Sequence, residues 1–163
     1  MSHGGDRITF IDRIGDRFEL KEYSEADHTA LTHMYDRFTP KAVTQGLPPA
    51  NDRARLEWIR YLEETGENFL AWLEDIVVAH SSLLPEPAMS RGEYLIFVDP
   101  AYRNRGLGTE LTRLAITRAG QLQLQTVWLT VEALNFKAIK LYKKIGFQFC
   151  DTGERERTMI LKL

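Results

Sequence analysis

Val98-Asp99-Pro100-Ala101-Tyr102-Arg103-Asn104-Arg105-Gly106-Leu107-Gly108 is the stretch around which the rest of the chain is read. Just before it, Tyr94-Leu95-Ile96-Phe97-Val98 is apolar and rich in aromatic and β-branched residues, the pattern of a buried strand. Just after it, Leu107, Leu111, Leu114, Ala115 and Leu122 recur at helical spacing, so a helix begins at or just after the glycines. Strand, basic glycine-bearing turn and helix together aim orphan backbone N–H groups and a helix dipole at one point, which makes an anion site. Arg103 and Arg105 add positive charge beside it. Glycine lets a phosphate approach the backbone and accepts positive φ. The expected guest is a pyrophosphate.

Two familiar phosphate loops are excluded. A P-loop needs a Gly, four intervening residues, then Gly-Lys and a Ser or Thr, and no such run exists here. A dinucleotide fingerprint needs a third glycine, yet Gly106-Leu107-Gly108 continues as Thr109-Glu110-Leu111. The stretch instead resembles motif A of the GNAT superfamily of N-acetyltransferases. That motif is Arg or Gln, two residues, Gly, one residue, then Gly or Ala, met here by Arg103, Gly106 and Gly108. The resemblance implies a loop, Arg103 to Thr109, that holds the pyrophosphate of acetyl-CoA.

The 163 residues suit one domain with a sizeable core, expected over 7–163 behind a flexible tail of residues 1–6. A formal net charge of −2 provides no global field for nucleic acid or an anionic membrane. Cys150 is the single cysteine, which excludes an internal disulfide and a thiolate zinc site, and no metal is expected. No apolar leader or spanning run is visible, so the cytoplasm is the expected compartment.

Along the chain, Ile8–Ile11 and Arg17–Tyr23 alternate like strands. Ser24 is expected to cap a helix over Glu25–Arg37, and Pro40 to stop it. Thr39–Ala50, with Gly46 and Pro48-Pro49, reads as loop. Asn51 or Asp52 caps a second helix ending near Gly66. Asn68–Leu73 and Ile76–Leu84 form a hairpin, and Pro85–Arg91 is a turn before a strand over Glu93–Val98. Thr126–Val131 is the next strand. Asn135 caps a short helix that Gly146 closes, and Phe147–Cys150 and Arg157–Leu161 finish as a strand pair. Hairpins mixed with two crossovers make a single mixed α/β sheet, mostly antiparallel, of about six to eight strands with about four helices.

A second block strengthens the resemblance. Leu129-Thr130-Val131, then Asn135, Ala138, Leu141-Tyr142 and Gly146-Phe147, is similar to GNAT motif B without gaps. In that family the strand before motif A and the strand carrying Leu129–Val131 splay at a β-bulge, and pantetheine lies between them. The resemblance implies main-chain contacts from Phe97 and Val98, a cofactor contact from Asn135, and Tyr142 both near the cofactor and as the acid that protonates the leaving thiolate.

Direct transfer also needs a neutral amine and a stabilised oxyanion. Glu93 and Glu132 are the candidate bases. Glu93 sits one position off the register expected for the family's glutamate, hence on the other face of a regular strand. His80 titrates in a useful range, and with Tyr35 and Phe38 it is a candidate acceptor wall, though a satisfied sheet histidine is the competing reading. His28 and His33 read as helix-surface residues. The acceptor is a small amine or a protein amino group. Alternatives are a non-catalytic acyl-CoA sensor and a transferase for another acyl group. Exposed strand edges suggest a homodimer.

Overall fold

The elements run β1 (Ile8–Ile11), β2 (Arg17–Glu22), a 3-10 turn (Glu25–Asp27), α1 (His28–Arg37), α2 (Asp52–Thr65), β3 (Glu67–Leu73), β4 (Ile76–Glu86) and β5 (Arg91–Val98). They continue through α3 (Leu107–Gln121), β6 (Thr126–Glu132), α4 (Phe136–Ile145), β7 (Gln148–Phe149) and β8 (Glu156–Lys162). This is a computed structural model, and it describes residues 7–41 and 47–163. Residues 1–6, and 42–46 of the expected loop, lie outside that description.

Local chemistry starts and stops the helices. Asp27 accepts from the Ser24 N–H at 3.0 Å, and the turn it tightens is 3-10, so α1 proper begins three residues later than expected. Asn51 and Asn135 accept from the N–H groups of Ala54 and Ala138, at 3.0 and 3.2 Å. Gly146, at φ 123, closes α4 with its N–H 3.1 Å from Tyr142 O.

All eight strands form one sheet in the order β1-β2-β3-β4-β5-β6-β8-β7, with β5 and β6 parallel and the other neighbours antiparallel. One core packs Phe18, Ala79, Tyr94, Leu129 and Met159 with Leu107, Leu111 and Ala115 of α3 and Ile139 of α4. A second packs Leu70, Val77, His80 and Phe97 with Leu31 and Tyr35 of α1 and Ile59 of α2. Alternation along β5 decides which residue enters which core, and along β4 it holds except at Val78-Ala79, which both enter the first core beside a register shift. Each fully buried large apolar side chain contributes about 1.5–3 kcal/mol relative to exposure.

The parallel pair positions the site. β5 and β6 are in register only at Arg91↔Thr126, Gly92↔Val127 and Glu93↔Trp128. Beyond that, β5 follows β4 to Val98 while β6 follows β8 to Glu132, so a gap opens between them. The expected splay is present, but the bulge expected at it is not. The β4–β5 ladder runs unbroken from Ala79↔Val98 to Glu86↔Arg91, and the register shift lies between β3 and β4, at Ala71/Trp72. β4 also extends through Pro85 to Glu86, which shortens the turn expected over Pro85–Arg91.

Candidate active site

Asp99 shapes the exit from β5. Its N–H donates to Val78 O at 2.9 Å, its carboxylate accepts from the Ala101 N–H at 3.0 Å, and the same carboxylate lies 3.0 Å from Arg37 Nε. The chain then turns through two left-handed residues, Asn104 at φ 62 and Gly106 at φ 89, and enters α3. Glu110 is the first residue of the helix whose N–H finds a turn of its own backbone, Gly106 O at 3.2 Å. Among the described residues, the N–H groups of 104–109 meet no acceptor. A row of free donors at a helix start fits a pyrophosphate in charge and in direction.

The side chains of the loop have separate duties. Leu107 is buried in the first core. Thr109 faces a groove of about 440 Å³ between α3 and α4, with Arg113, Ile116, Lys144 and Ile145. Arg103 is exposed, donates from Nε to Val98 O at 3.2 Å and lies 5.8 Å over the Phe38 ring. Arg105 is turned the other way, bonded to Asp16 and 3.6 Å from Asp12. A Cβ on Gly108 would stand 3.0 Å from Leu141 Cδ1, so the start of α3 and the middle of α4 are in contact.

In the gap, the β5 backbone groups of Tyr94–Val98 that point away from β4 have no partner strand. Tyr142 is buried, with its ring 5.7 Å from Phe147, and burial pushes its phenol up to about 12. Tyr94 is buried nearby and is also raised, first by desolvation and then by the charge Tyr142 would carry. The Thr112 hydroxyl donates to Gly108 O at 2.6 Å, so its oxygen accepts from the Tyr94 O–H at 2.9 Å. Both phenols are therefore protonated at neutral pH, and a polar chain ties the gap to the first turn of α3. Sequence reading missed Tyr94 and Thr112. Strand alternation with Gly92 and Ile96 was the available signal for Tyr94.

Glu93 lies at the root of the gap, opposite Leu84 and beside Trp128, on the same face as Phe97 because β5 is regular. Its carboxyl is half-buried and raised, by desolvation first and by Glu86 second. Glu132 is exposed at the far end of β6, opposite Glu156. Four residues of strand, about 13 Å, separate Trp128 from Glu132. The two carboxylates are not brought together. Asn135 is seen as the cap of α4, its side-chain oxygen occupied by the Ala138 N–H.

Tyr35, Phe38 and His80 do come together, as core. Phe97 meets Tyr35, Phe38 and Trp58 edge-on at 5.8, 5.9 and 5.3 Å. Asn68 donates its amide to Leu62 O and Gly66 O at 2.7 and 2.9 Å, which fixes its oxygen as the acceptor toward His80 Nε2 at 2.7 Å. His80 is therefore the Nε2–H tautomer, and Nδ1 accepts from the Tyr35 O–H at 2.6 Å. Burial lowers His80 to about 3. It is a satisfied, neutral sheet histidine. His28 is not a plain surface residue either, since Nδ1 lies 2.7 Å from Glu63 Oε1.

A mixed sheet parted beside a donor-rich helix start, with the buried phenols of Tyr94 and Tyr142 packed in the core on its α3–α4 side, is suited to an anionic group lying beside an open strand edge. The chain belongs to the Acetyltransferase (GNAT) family, whose profile it matches over residues 28–147. It is 31% identical over 141 residues to the L-amino acid N-acetyltransferase AaaT of Escherichia coli, covering 83% of this chain and 86% of that protein. It is 42% identical over 76 residues to the E. coli ribosomal protein bS18-alanine N-acetyltransferase, covering 42% of this chain and 51% of that one. A match to the mycothiol acetyltransferase of Mycobacteroides abscessus, 43% identical, covers 39% of this chain and 21% of that protein. The chain thus spans about half or less of several curated relatives it matches. Its fold superposes on the GNAT domain of S. lividans PAT with a TM-score of 0.82 at 13% identity, covering 96% and 97% of the two chains. It also superposes on yncA of Salmonella typhimurium, solved with its cofactor acetyl-CoA, with a TM-score of 0.70 at 19% identity, over 90% and 94%. No helix among the described residues is long and apolar enough to cross a membrane.

Proposed function

We propose that this chain transfers an acetyl group from acetyl-CoA to a primary amine by direct attack in a ternary complex. The parting of β5 from β6 beside the free N–H groups of 104–109 carries this reading. Those N–H groups would take the pyrophosphate, with Gly106 and Gly108 leaving it room, Arg103 contributing charge, and Thr109 at the edge of the neighbouring groove. Phe97 and Val98 would offer main-chain groups to the acyl arm, one N–H serving the carbonyl oxygen as it gains charge. Asn135 can cap α4 and still contact the arm through its amide nitrogen. Acetyl-CoA supplies an acyl carbon activated as a thioester.

The remaining steps belong to side chains. Glu93 takes the proton of the incoming amine, because a raised carboxyl near the gap is a better matched base than the exposed Glu132. Tyr142 holds its Oη proton toward the departing sulfur. Against a thiol of ordinary pKa, about 8.5, full transfer from a phenol near 12 is uphill by roughly 5 kcal/mol. Tyr142 therefore acts as a hydrogen-bond donor during C–S cleavage; Glu93 takes the ammonium proton before attack, and the thiolate is neutralised by the second proton, which the nitrogen sheds as the C–N bond forms and the C–S bond breaks. Tyr35, Phe38 and His80 form the rigid floor on the acceptor side rather than direct contacts.

The relatives named for amino acid and ribosomal alanine acetylation make an α-amino group the first acceptor to test. Purified protein with acetyl-CoA is assayed for thiol release against amino acids, alanine-starting peptides and polyamines. Release with an α-amine supports the reading. Tight acetyl-CoA binding without release for any amine would overturn it in favour of a sensing module, and faster release from propionyl- or succinyl-CoA would change the donor. The exposed edge strand β1 offers a pairing surface for a homodimer, which would sediment at twice 18.8 kDa.

A further inference from the structure

The β1–β2 hairpin reaches the anion loop from the far edge of the sheet. The Phe10 ring packs on Gly106 so closely that a Cβ there would stand 2.9 Å from Phe10 Cζ. Asp12 and Asp16, in the turn between β1 and β2, hold Arg105 by charge, and Asp16 also bonds it. Arg13 Nη2 approaches Asn104 O at 3.5 Å. Asp12 is itself fixed, with Oδ1 accepting from the N–H groups of Ile14 and Asp16 at 3.1 and 2.8 Å. Its buried Oδ2 has no hydrogen-bond partner in the described residues and faces the Arg105 charge. Each contact lands on the 104–106 segment that carries two left-handed residues. A turn of that conformation, with its N–H groups free, has little of its own to hold it.

We infer that the β1–β2 hairpin is a strap that holds the loop in its anion-binding shape, with Asp16 and Phe10 as positioning residues and Arg105 as the strap's anchor rather than a phosphate ligand. This rests on the reading of the loop as the pyrophosphate site. The charge arrangement supports it. Arg105 faces two carboxylates, so its field toward a phosphate is already offset, whereas Arg103 has no carboxylate partner among the described residues. A loop ordered in advance binds more tightly than one ordered by its ligand.

The test turns on the sign of one change. Asp16 is partly exposed, so Asp16→Asn removes the charge of a strap contact without burying anything new. Calorimetry with CoA is expected to show Kd raised roughly tenfold, with kcat at saturating acetyl-CoA unchanged. Amide hydrogen exchange at 104–106 in the free protein should quicken, and Phe10→Ala should do the same. Tighter CoA binding by Asp16→Asn would mean that Arg105 is a phosphate ligand restrained by Asp16, and would overturn the strap. Unchanged Kd and unchanged exchange would overturn it equally. Should the unaltered protein bind no CoA, the pyrophosphate reading fails, and the exchange rates alone still decide whether the hairpin holds the loop.

Discussion

The polar groups around His80 and those at the start of α3, on opposite faces of the sheet, are treated in opposite ways. On the α1–α2 face, Tyr35, His80 and Asn68 form a closed chain in which both ring nitrogens of His80 are used. On the α3–α4 face, the N–H groups at the start of α3 meet no acceptor among the described residues, and β5 parts from β6 with no strand paired to its open edge. Buried groups that are fully satisfied build rigidity, whereas donors left without protein partners at a concave helix start point to a ligand. The contrast separates scaffold from site more clearly than residue type does, since a histidine and the aromatics Tyr35, Phe38, Trp58 and Phe97 mark the closed cluster.

The largest effect expected tests the closed face. His80 is lowered from 6.5 to about 3, so the unfolded chain binds the proton first as pH falls. Its stabilising contribution is complete above about 6.5 and drains away down to about 3, by as much as roughly 5 kcal/mol. Urea unfolding at pH 7 and at pH 4.5 should show the loss, and His80→Gln should flatten the slope. Next, on the open face, Tyr142→Phe should lower kcat by about 10²–10³ and leave the acetyl-CoA KM nearly unchanged. An unchanged kcat would reduce Tyr142 to a core phenol. Gly106→Val forces a β-branched residue to φ 89 against Phe10, and acetyl-CoA binding measured by calorimetry should weaken by about 100-fold.

The smallest effect blurs the contrast, because Glu93 lies on the closed face, with Phe97, yet at the root of the gap. Its carboxyl is raised, so the folded state binds the proton more tightly and stability falls as pH rises through that range. Glu93→Gln should therefore be slightly more stable at pH 7, by about 0.5 kcal/mol or less given solvent screening. The acid limb of the kcat/KM profile should disappear with it. Persistence of that limb would pass the base to another group or to water.

Much of the open face was legible in sequence. Arg103, Gly106 and Gly108 at fixed spacing between an apolar strand and an amphipathic helix leave few alternatives, and Ser24, Asn51, Asn135 and Gly146 mark helix ends by local chemistry. The side of the strand on which Glu93 lies also followed from alternation. Contacts distant in sequence were not legible. Nothing local to Phe10 or Asp16 says that they meet a loop some ninety residues on. His80 looked functional because its type titrates near neutrality, and only tertiary burial removes that property. The bulge was placed wrongly because a splay needs only that two strands follow different neighbours, which periodicity does not reveal.

In the proposed function acetyl-CoA lies along the parted strands with its pyrophosphate on the start of α3. Backbone amide chemical shifts, followed as acetyl-CoA is added, test this most directly. The largest changes are expected at Asn104–Thr109 and at Phe97–Val98, with smaller ones along Leu129–Val131. Shifts absent from Asn104–Thr109, or gathered instead around Trp128 and Ile160 on the opposite face, would contradict it.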